Sequence, residues 1–244
     1  MHVRDYPGTA RDLTSYWGSW PVSQPLSVGW IGVVRDGAFM RETDVANIPE
    51  IPAPRVISSL RDETATYSRH VDFHAELAAG AGTAGGGATA TVSFSKEAGT
   101  LISLHRPRYH QVDDIPMLKK QILALAREEL WERDWIVVVE TVEARGVTVL
   151  VSSARDASIV FDVRAEPGTF GVADLANAEL GLNVLAKASI GMAAIAERGT
   201  PLYRTLRVSR SFWGKVRVGL SGAAPVPDDA FEDVALPVRD DRDV

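Results

Sequence analysis

The chain contains no cysteine among its 244 residues. This absence excludes disulfide bridges, thiolate nucleophiles and cysteine-ligated zinc, and it favours a reducing compartment. Long apolar runs are missing too: no stretch approaches the roughly 18 apolar residues of a membrane-spanning helix, and the first residues lack the pattern of a signal peptide. We therefore expect a chain that is made and stored in the cytoplasm.

Catalytic and nucleotide-binding motifs are also missing. The sequence has no GxSxG nucleophile elbow, no HExxH helix and no glycine-rich phosphate loop. Its best metal ligands are histidines: on a strand, His70, Asp72 and His74 would share a face, whereas His105 and His110 would point to opposite faces. A metal enzyme is therefore a weak hypothesis, and we expect no catalytic residue, no metal and no cofactor.

Negative charge is concentrated in one segment. The formal net charge is −6, and residues 221–244 contribute −5 of it, with seven carboxylates against two arginines. Elsewhere the clearest basic group is a short stripe without acidic residues, which an ordinary solvated strand face would also explain. Nucleic-acid-binding domains usually have a wider basic excess, so we expect no nucleic-acid partner. This basic stripe consists of Arg204, Arg207, Arg210, Lys215 and Arg217.

Alternating apolar and polar residues predict that most of the chain is β-sheet. The tryptophan- and glycine-rich opening predicts short extended segments, and the prolines of residues 46–56 predict a connector. Two strand regions in residues 64–104 flank a loop with glycines at 80, 82, 85, 86 and 87, which we expect to be mobile.

One segment has helical periodicity instead. Residues 115–131 place Leu118, Ile122, Leu125 and Leu130 on a common side, and Asp113 and Asp114 precede them as capping residues. Three β-branched runs follow, WIVVVETV, GVTVLVSS and ASIVFDV, and the short links between them predict a β-meander. Residues 172–197 predict a helix followed by extended chain, and GTPLYRTLRV and KVRVGL predict two closing strands.

Three landmarks in this order resemble the N-terminal pore-forming domains of gasdermins. They are SYWGSWPVSQPLSVGWIGVVRDGAFMRETDVANI at the opening, DWIVVVETVEARGVTVLVSS after the helix, and ERGTPLYRTLRV near the end. The likeness covers most of residues 13–220 and is strongest to the short bacterial members. Those proteins often carry a lipidated cysteine near the N-terminus, which is missing here.

The resemblance implies an α+β fold, a twisted and mostly antiparallel sheet with peripheral helices. Residues 1–220 would be the pore-forming domain and residues 221–244 an autoinhibitory peptide. A protease would remove the peptide, and copies of the chain would then assemble in the lipids of the inner membrane as pores that kill the cell in antiphage defence.

The residues allow this interpretation, because a membrane β-strand needs only about 9–11 residues with one apolar face. Two segments, 89–104 and 148–163, alternate in this way and are candidate inserting hairpins. Within them the residues expected to face lipid are Val92, Phe94, Ile159 and Phe161.

The acidic tail also carries apolar residues at spacings that could cover a groove. Phe231, Val234 and Leu236 would anchor it, while its carboxylates would face the basic stripe. The alternatives stay open: the alternating strands also suit an ordinary half-buried sheet in a β-rich binding or scaffold module that never enters a membrane, and the tail also suits a disordered segment that aids solubility.

Overall fold

The computed structural model describes residues 6–61, 63–77, 88–163, 171–177, 183–210 and 216–221. Within these ranges the chain is mostly antiparallel β-sheet with two α-helices, which confirms the α+β expectation. The helices are α1 (Tyr6–Thr14) and α2 (Ile115–Arg127), and short 3-10 turns occupy Val45–Asn47 and Val172–Ala176.

The strands of the described chain follow the alternation of the sequence closely. In chain order they are β1 (Trp17–Gly18), β2 (Trp30–Arg35), β3 (Ala38–Asp44), β4 (Val56–Leu60), β5 (Ala65–Arg69), β6 (Val71–Leu77), β7 (Ala88–Phe94), β8 (Thr100–His105), β9 (Arg108–Val112), β10 (Ile136–Ala144), β11 (Gly146–Ser152), β12 (Ala157–Val163), β13 (Asn183–Ala188), β14 (Ile190–Ala196), β15 (Gly199–Arg210) and β16 (Val216–Ser221).

The largest sheet, which we call the body sheet, has eight strands. Its centre is the pair β10–β15. On the side away from β10, β15 pairs first with β1 and then, further along its length, with β16. On the side away from β15, β10 pairs first with β2 and then with β9. Strand β3 pairs with the outer edge of β2, and β4 pairs with that of β9.

Helix α2 covers one face of the body sheet. It starts as the sequence predicts, because the Asp114 carboxylate accepts a hydrogen bond from the Met117 amide at 2.8 Å and a proline sits in the first turn. Its apolar stripe is buried against β10 and β15, and the shared cluster includes Leu118, Ile122, Leu125, Ala126, Val137, Val139, Leu206 and Val208.

Helix α1 was not expected from the sequence, since Pro7 and Gly8 weaken its signal. Tertiary packing forms it nonetheless. The Tyr6 hydroxyl donates to the Pro201 carbonyl at 3.3 Å, and a Cβ at Gly18 would lie 2.5 Å from the Tyr6 ring. The glycine therefore permits the close approach of the tyrosine to β1.

Two four-stranded sheets complete the fold, and they share one strand order. The proximal sheet is β14-β11-β8-β5, and the distal sheet is β13-β12-β7-β6. Each strand of one runs along the chain into its counterpart in the other, so the two sheets are a single four-stranded sheet with a bend. We call the four links at the bend the corner: His70, residues 95–99, residues 153–156 and Ser189.

Each corner link contains one non-glycine residue in the left-handed backbone region. These are His70 (φ 58°), Ala98 (φ 59°), Asp156 (φ 59°) and Ser189 (φ 53°). Such a residue redirects a strand without ending it, which is how strands pass between sheets packed at an angle. The bend therefore crosses all four strands at matching positions.

Two predictions of the sequence analysis are wrong. The three runs after α2 are not a meander, because β10, β11 and β12 do not pair with one another: β10 is in the body sheet, β11 in the proximal part and β12 in the distal part of the bent sheet. Their short links turn the chain between sheets, and their partners come from distant segments. The helix expected at the start of residues 172–197 is only the short 3-10 turn, and β13 and β14 follow it.

No α-helix among the described ranges has both the length and the apolar character needed to cross a membrane.

Candidate functional site

The four residues expected to face lipid lie together in the distal sheet. Val92 and Phe94 are on β7, and Ile159 and Phe161 are on β12, with Val92 directly opposite Ile159. All four are at most 1 % exposed and belong to one apolar cluster. Ser93, which alternates with them, is only half-buried. The predicted alternation is therefore present, with its apolar side fully covered.

That cluster spans the bend. Leu101 on β8 and Leu150 on β11, both in the proximal sheet, belong to it as well. The two sheets therefore direct apolar side chains towards each other, and we call this side of the bent sheet the inner face. The opposite side of the proximal sheet packs on the body through Ile102, Leu104, Val147, Val149 and Val151.

The two segments predicted to be hairpins are single bent strands. Segment 89–104 passes from the distal to the proximal sheet, and β7 pairs with β6 and β12 rather than with β8. Segment 148–163 does the same between β11 and β12. The polar stretch in the middle of each segment, which the sequence predicted as a hairpin turn, is a corner link. Each link contains a residue in the left-handed backbone region that the sequence did not reveal.

The hairpins that the chain does form are twice as long as the predicted ones, and each runs through both the proximal and the distal sheet. The first ribbon, residues 65–105, pairs β5 with β8 and β6 with β7. The second ribbon, residues 146–196, pairs β11 with β14 and β12 with β13. The glycine-rich loop predicted to be mobile connects the arms of the first ribbon, and it lies outside the described residues.

Hydrogen bonds of Ser152 hold the corner between the two ribbons. Its buried hydroxyl accepts from the Gly99 amide at 2.8 Å and donates to the Lys96 carbonyl at 2.9 Å. The Ser152 amide donates to the Gly99 carbonyl at 2.9 Å. A Cβ at Gly99 would lie 2.6 Å from the Phe94 ring. Neither Gly99 nor Ser152 carries a sequence signal for this contact, because glycine and serine beside a polar link are ordinary residues there.

A short segment of the second ribbon crosses the inner face. We call residues 171–177 the strap. Leu175 of the strap is fully buried in the cluster of the inner face, and Val172 packs against it. Its alanines, Ala173 and Ala176, belong to the alanine pattern that predicted a helix at the start of residues 172–197.

The two lateral edges of the bent sheet are β5–β6 and β13–β14, each of which has a paired neighbour on one side only among the described strands. Every residue of β13 is exposed. Leu185 is 60 % exposed, its neighbour Val184 on β13 is also exposed, and Ile195 is exposed further along the edge on β14. An exposed apolar edge strand offers free backbone groups to another strand.

The structure does not bring the basic stripe together. Arg204 and Arg207 are three residues apart on β15, so their side chains leave opposite faces. Each has an acidic partner: Arg204 lies 3.2 Å from Glu140, and Arg207 lies 4.0 Å from Asp134. The backbones of Arg210 and Arg217 lie on the adjacent strands β15 and β16, and Lys215 lies outside the described residues.

Arg204 has a structural role that its place in the stripe did not suggest. Its side chain is 17 % exposed and that of Glu140 is 5 % exposed. The Arg204 Nε donates to the Ser15 carbonyl at 3.1 Å, and its guanidinium stacks 4.2 Å from the Tyr16 ring centre. Burial, with the nearby Glu140 carboxylate, raises the pKa of Tyr16 above its usual value. Arg204 therefore fastens the chain after α1 to the body sheet.

The candidate metal ligands lie apart from one another. His70 is in the corner, and His74 on β6 pairs with exposed Glu76 at 2.7 Å. His105 Nδ1 lies 3.4 Å from the Thr64 hydroxyl, and His110 Nδ1 lies 2.7 Å from the Ser58 hydroxyl. In the described part of the chain no three His, Asp or Glu side chains are grouped so that they could hold a metal ion.

The proposed tail anchors Phe231, Val234 and Leu236 lie outside the described residues, as does nearly all of the acidic tail. The domain boundary near residue 220 stays a prediction, because residues 222–244 lie outside the described residues. Comparison of the sequence with protein-family models and with curated proteins gives no match.

Proposed function

We propose that this chain is a gasdermin-like pore former whose stored form is activated by proteolytic removal of residues 221–244. Copies of the activated chain assemble and open membrane pores, which would kill the cell in antiphage defence. The observation that carries the proposal is the distal sheet, which has one apolar and one polar face and belongs to two long ribbons.

The faces of the distal sheet suit a membrane barrel, in which apolar side chains face lipid and polar ones face the water-filled interior. The apolar face carries Val92, Phe94, Ile159 and Phe161 together with Val71, Phe73, Ala75, Ala90, Ala157 and Val163. The other face carries Asp72, His74, Glu76, Thr89, Thr91, Ser93, Ser158 and Asp162, with Val160 among them. The pattern is weaker at the exposed β13 edge, where Lys187 lies opposite Ile159 and therefore on the apolar side.

The ribbons are also long enough. Their four arms span residues 65–77, 88–105, 146–163 and 183–196. Each is longer than the about 9–11 residues of a membrane strand. The arms are antiparallel neighbours already, so insertion would keep most of their hydrogen bonds and satisfy the backbone, as lipid requires.

Assembly would use the free edges. A barrel tolerates no unpaired edge in lipid, so β5–β6 of one copy would pair with β13–β14 of the next. Each edge turns the corner with a single left-handed residue, His70 or Ser189, so both edges bend at the same level. Head-to-tail contact of this kind forms a ring when the rotation between successive copies closes on itself.

The acidic tail would keep the stored form inactive. Because Arg204 is paired with Glu140, the carboxylates of the tail would face the remaining basic residues. Exposed ion pairs contribute only about 0–1 kcal/mol each, so the apolar anchors Phe231, Val234 and Leu236 would provide most of the docking.

Dye release from vesicles of anionic lipid, with residues 223–244 removed, tests the proposal. Leu185→Glu should abolish release, because it places a charge on the exposed β13 edge without disturbing the core. Leu60→Glu is the matched control, since Leu60 is a comparably exposed leucine on the β4 edge of the body sheet. Equal release by the two variants would exclude assembly through β13.

The alternative function is a β-rich binding or scaffold module that never enters a membrane. The complete burial of Val92, Phe94, Ile159 and Phe161 favours it, since ordinary sheets bury one face in this way. Burial also makes charged substitutions at these four positions unsuitable as tests, because they would unfold the stored form. Dye release by the truncated chain distinguishes the two functions.

A further inference from the structure

The strap, residues 171–177, is fixed to both ribbons by side-chain hydroxyls. Ser103 on β8 of the first ribbon donates to the Ala173 carbonyl at 3.1 Å. Thr148 on β11 of the second ribbon donates to the Leu175 carbonyl. Both hydroxyl-bearing residues are fully buried. The strap therefore links the two ribbons as well as covering them.

The sheet beneath the strap is shaped to receive it. A Cβ at Gly146, the first residue of β11, would collide with the Ala176 carbonyl, so only glycine allows this approach. The strap also fixes its own conformation: the Gly171 amide donates to the Asp174 carboxylate at 2.8 Å, and the Asn177 amide donates to the Asp174 carbonyl at 2.9 Å.

The strap covers the surface that the proposed pore would need. Leu175 is fully buried in the same cluster as Val92, Phe94, Ile159 and Phe161. The strap lies against β8, β11 and β5, so the inner face of the proximal sheet cannot meet lipid while the strap is in place.

We propose that the strap is a built-in plug of the inner face, which has to leave before the ribbons can open. This inference rests on the proposed function for its consequence, but the plug itself can be tested without a membrane. Because the strap belongs to the segment between β12 and β13, its departure and the opening of the second ribbon are one movement. It acts within the domain, separately from the acidic tail.

Hydrogen exchange of the full chain tests the plug directly. Thr148→Val keeps the shape of the side chain but removes the hydroxyl that holds Leu175. The Asp174 and Asn177 amides should then exchange about tenfold faster, the effect of losing one buried hydrogen bond. Thr200→Val is the matched control, because Thr200 is a buried threonine of the body sheet whose hydroxyl accepts from the Leu26 amide at 3.3 Å. If both variants leave these two amides unchanged, the strap is not held as proposed.

A reversible disulfide between the strap and the sheet tests whether the strap has to leave before the ribbons can open. The native chain has no cysteine, so Ser103→Cys combined with Ala173→Cys introduces a single possible bridge between strap and sheet. The parent for this test is the chain with residues 223–244 removed. The oxidised double variant should release at least about tenfold less dye than this parent, and reduction should restore release. Val33→Cys with Met40→Cys, on opposing positions of β2 and β3, is the control pair in the body sheet.

The outcomes separate the two proposals. If the parent releases dye and the oxidised double variant releases it equally well, the plug is overturned and the proposed function stands. If the parent never releases dye, the proposed function fails, and the exchange rates of the Asp174 and Asn177 amides alone decide for or against the plug.

Discussion

Two buried tyrosines, Tyr6 and Tyr203, differ in whether the hydroxyl has a hydrogen-bond partner. Tyr6 and Tyr203 are both almost completely buried, and burial raises the pKa of each above its usual value. The Tyr6 hydroxyl donates to the Pro201 carbonyl at 3.3 Å. The Tyr203 hydroxyl has no hydrogen-bond partner among the residues that the structure describes.

Tyr203→Phe should therefore be neutral or stabilising by up to about 1 kcal/mol, because it removes a buried polar group without breaking a hydrogen bond. Tyr6→Phe should cost about 0.5–1.5 kcal/mol, since it breaks one. Urea unfolding of the two variants measures the difference, and a larger loss for Tyr203→Phe would contradict this account.

Because of these two buried tyrosines, we expect the folded protein to become less stable at alkaline pH. Their folded pKa values lie above the unfolded value of about 10, so the unfolded chain releases these protons first. Stability should be complete below about pH 10 and fall above it, by about 1.4 kcal/mol per pH unit for each such tyrosine. Urea midpoints between pH 8 and 11.5 test this, and Tyr203→Phe should show a shallower fall. A midpoint that stays constant through this range would refute the prediction.

Single residues were the least predictable level from sequence. The apolar alternation correctly placed Val92, Phe94, Ile159 and Phe161 on one face. The partners of Arg204 could not be foreseen, because Glu140 is 64 positions away in the sequence and only strand pairing brings the two together. Strand alternation likewise separates Arg204 from Arg207, two residues that the sequence placed in one basic stripe.

At the scale of elements, the corner distinguishes this fold from a simple antiparallel sheet. Four left-handed residues align across the bend, and Ser152 joins its two central strands. The Ser153 amide and hydroxyl both donate to the Ser189 carbonyl, at 2.9 and 2.8 Å, which extends the connection to the edge strand. The bend is thus fixed by local hydrogen bonds in addition to the apolar cluster inside it.

Gly99→Ala should destabilise the chain by about 1–3 kcal/mol, because the added Cβ would lie 2.6 Å from Phe94 and 3.2 Å from the carbonyls of His70 and Lys96. Gly8→Ala in α1 is the control, since nothing lies within 4 Å of its added Cβ. That control should be stabilising by about 0.5–1 kcal/mol. Thermal or urea unfolding compares the two, and an equal effect of both would show that the corner is not tightly packed.

Elements with strong periodicity were predictable, and connections were not. The capping of α2 by Asp114 and the closing strands β15 and β16 follow from the sequence. The links 95–99 and 153–156 have the composition of hairpin turns, so the sequence predicted hairpins where the strands bend. Pairing with distant segments decides between these outcomes, and one sequence does not contain that information.

At the scale of the whole molecule, the fold separates into a body and a bent sheet. The body sheet and α2 form one apolar cluster, and the inner face of the bent sheet forms another. A third cluster packs the outer side of the proximal sheet on the body. Rearrangement of the ribbons would therefore break that contact, while the cluster beneath α2 stays intact. This division is what a protein needs if it is stored in one conformation and works in another.

Removal of the acidic tail is the most direct test of the central claim. A chain that ends after Gly222 should assemble, release dye from vesicles of anionic lipid and be toxic on expression, because about 1 kcal/mol per basic residue near an anionic surface favours binding once the carboxylates are gone. The full chain, measured beside it, should leave the vesicles intact. A truncated chain that stays folded, monomeric and harmless to both vesicles and cells would contradict the proposed pore-forming function.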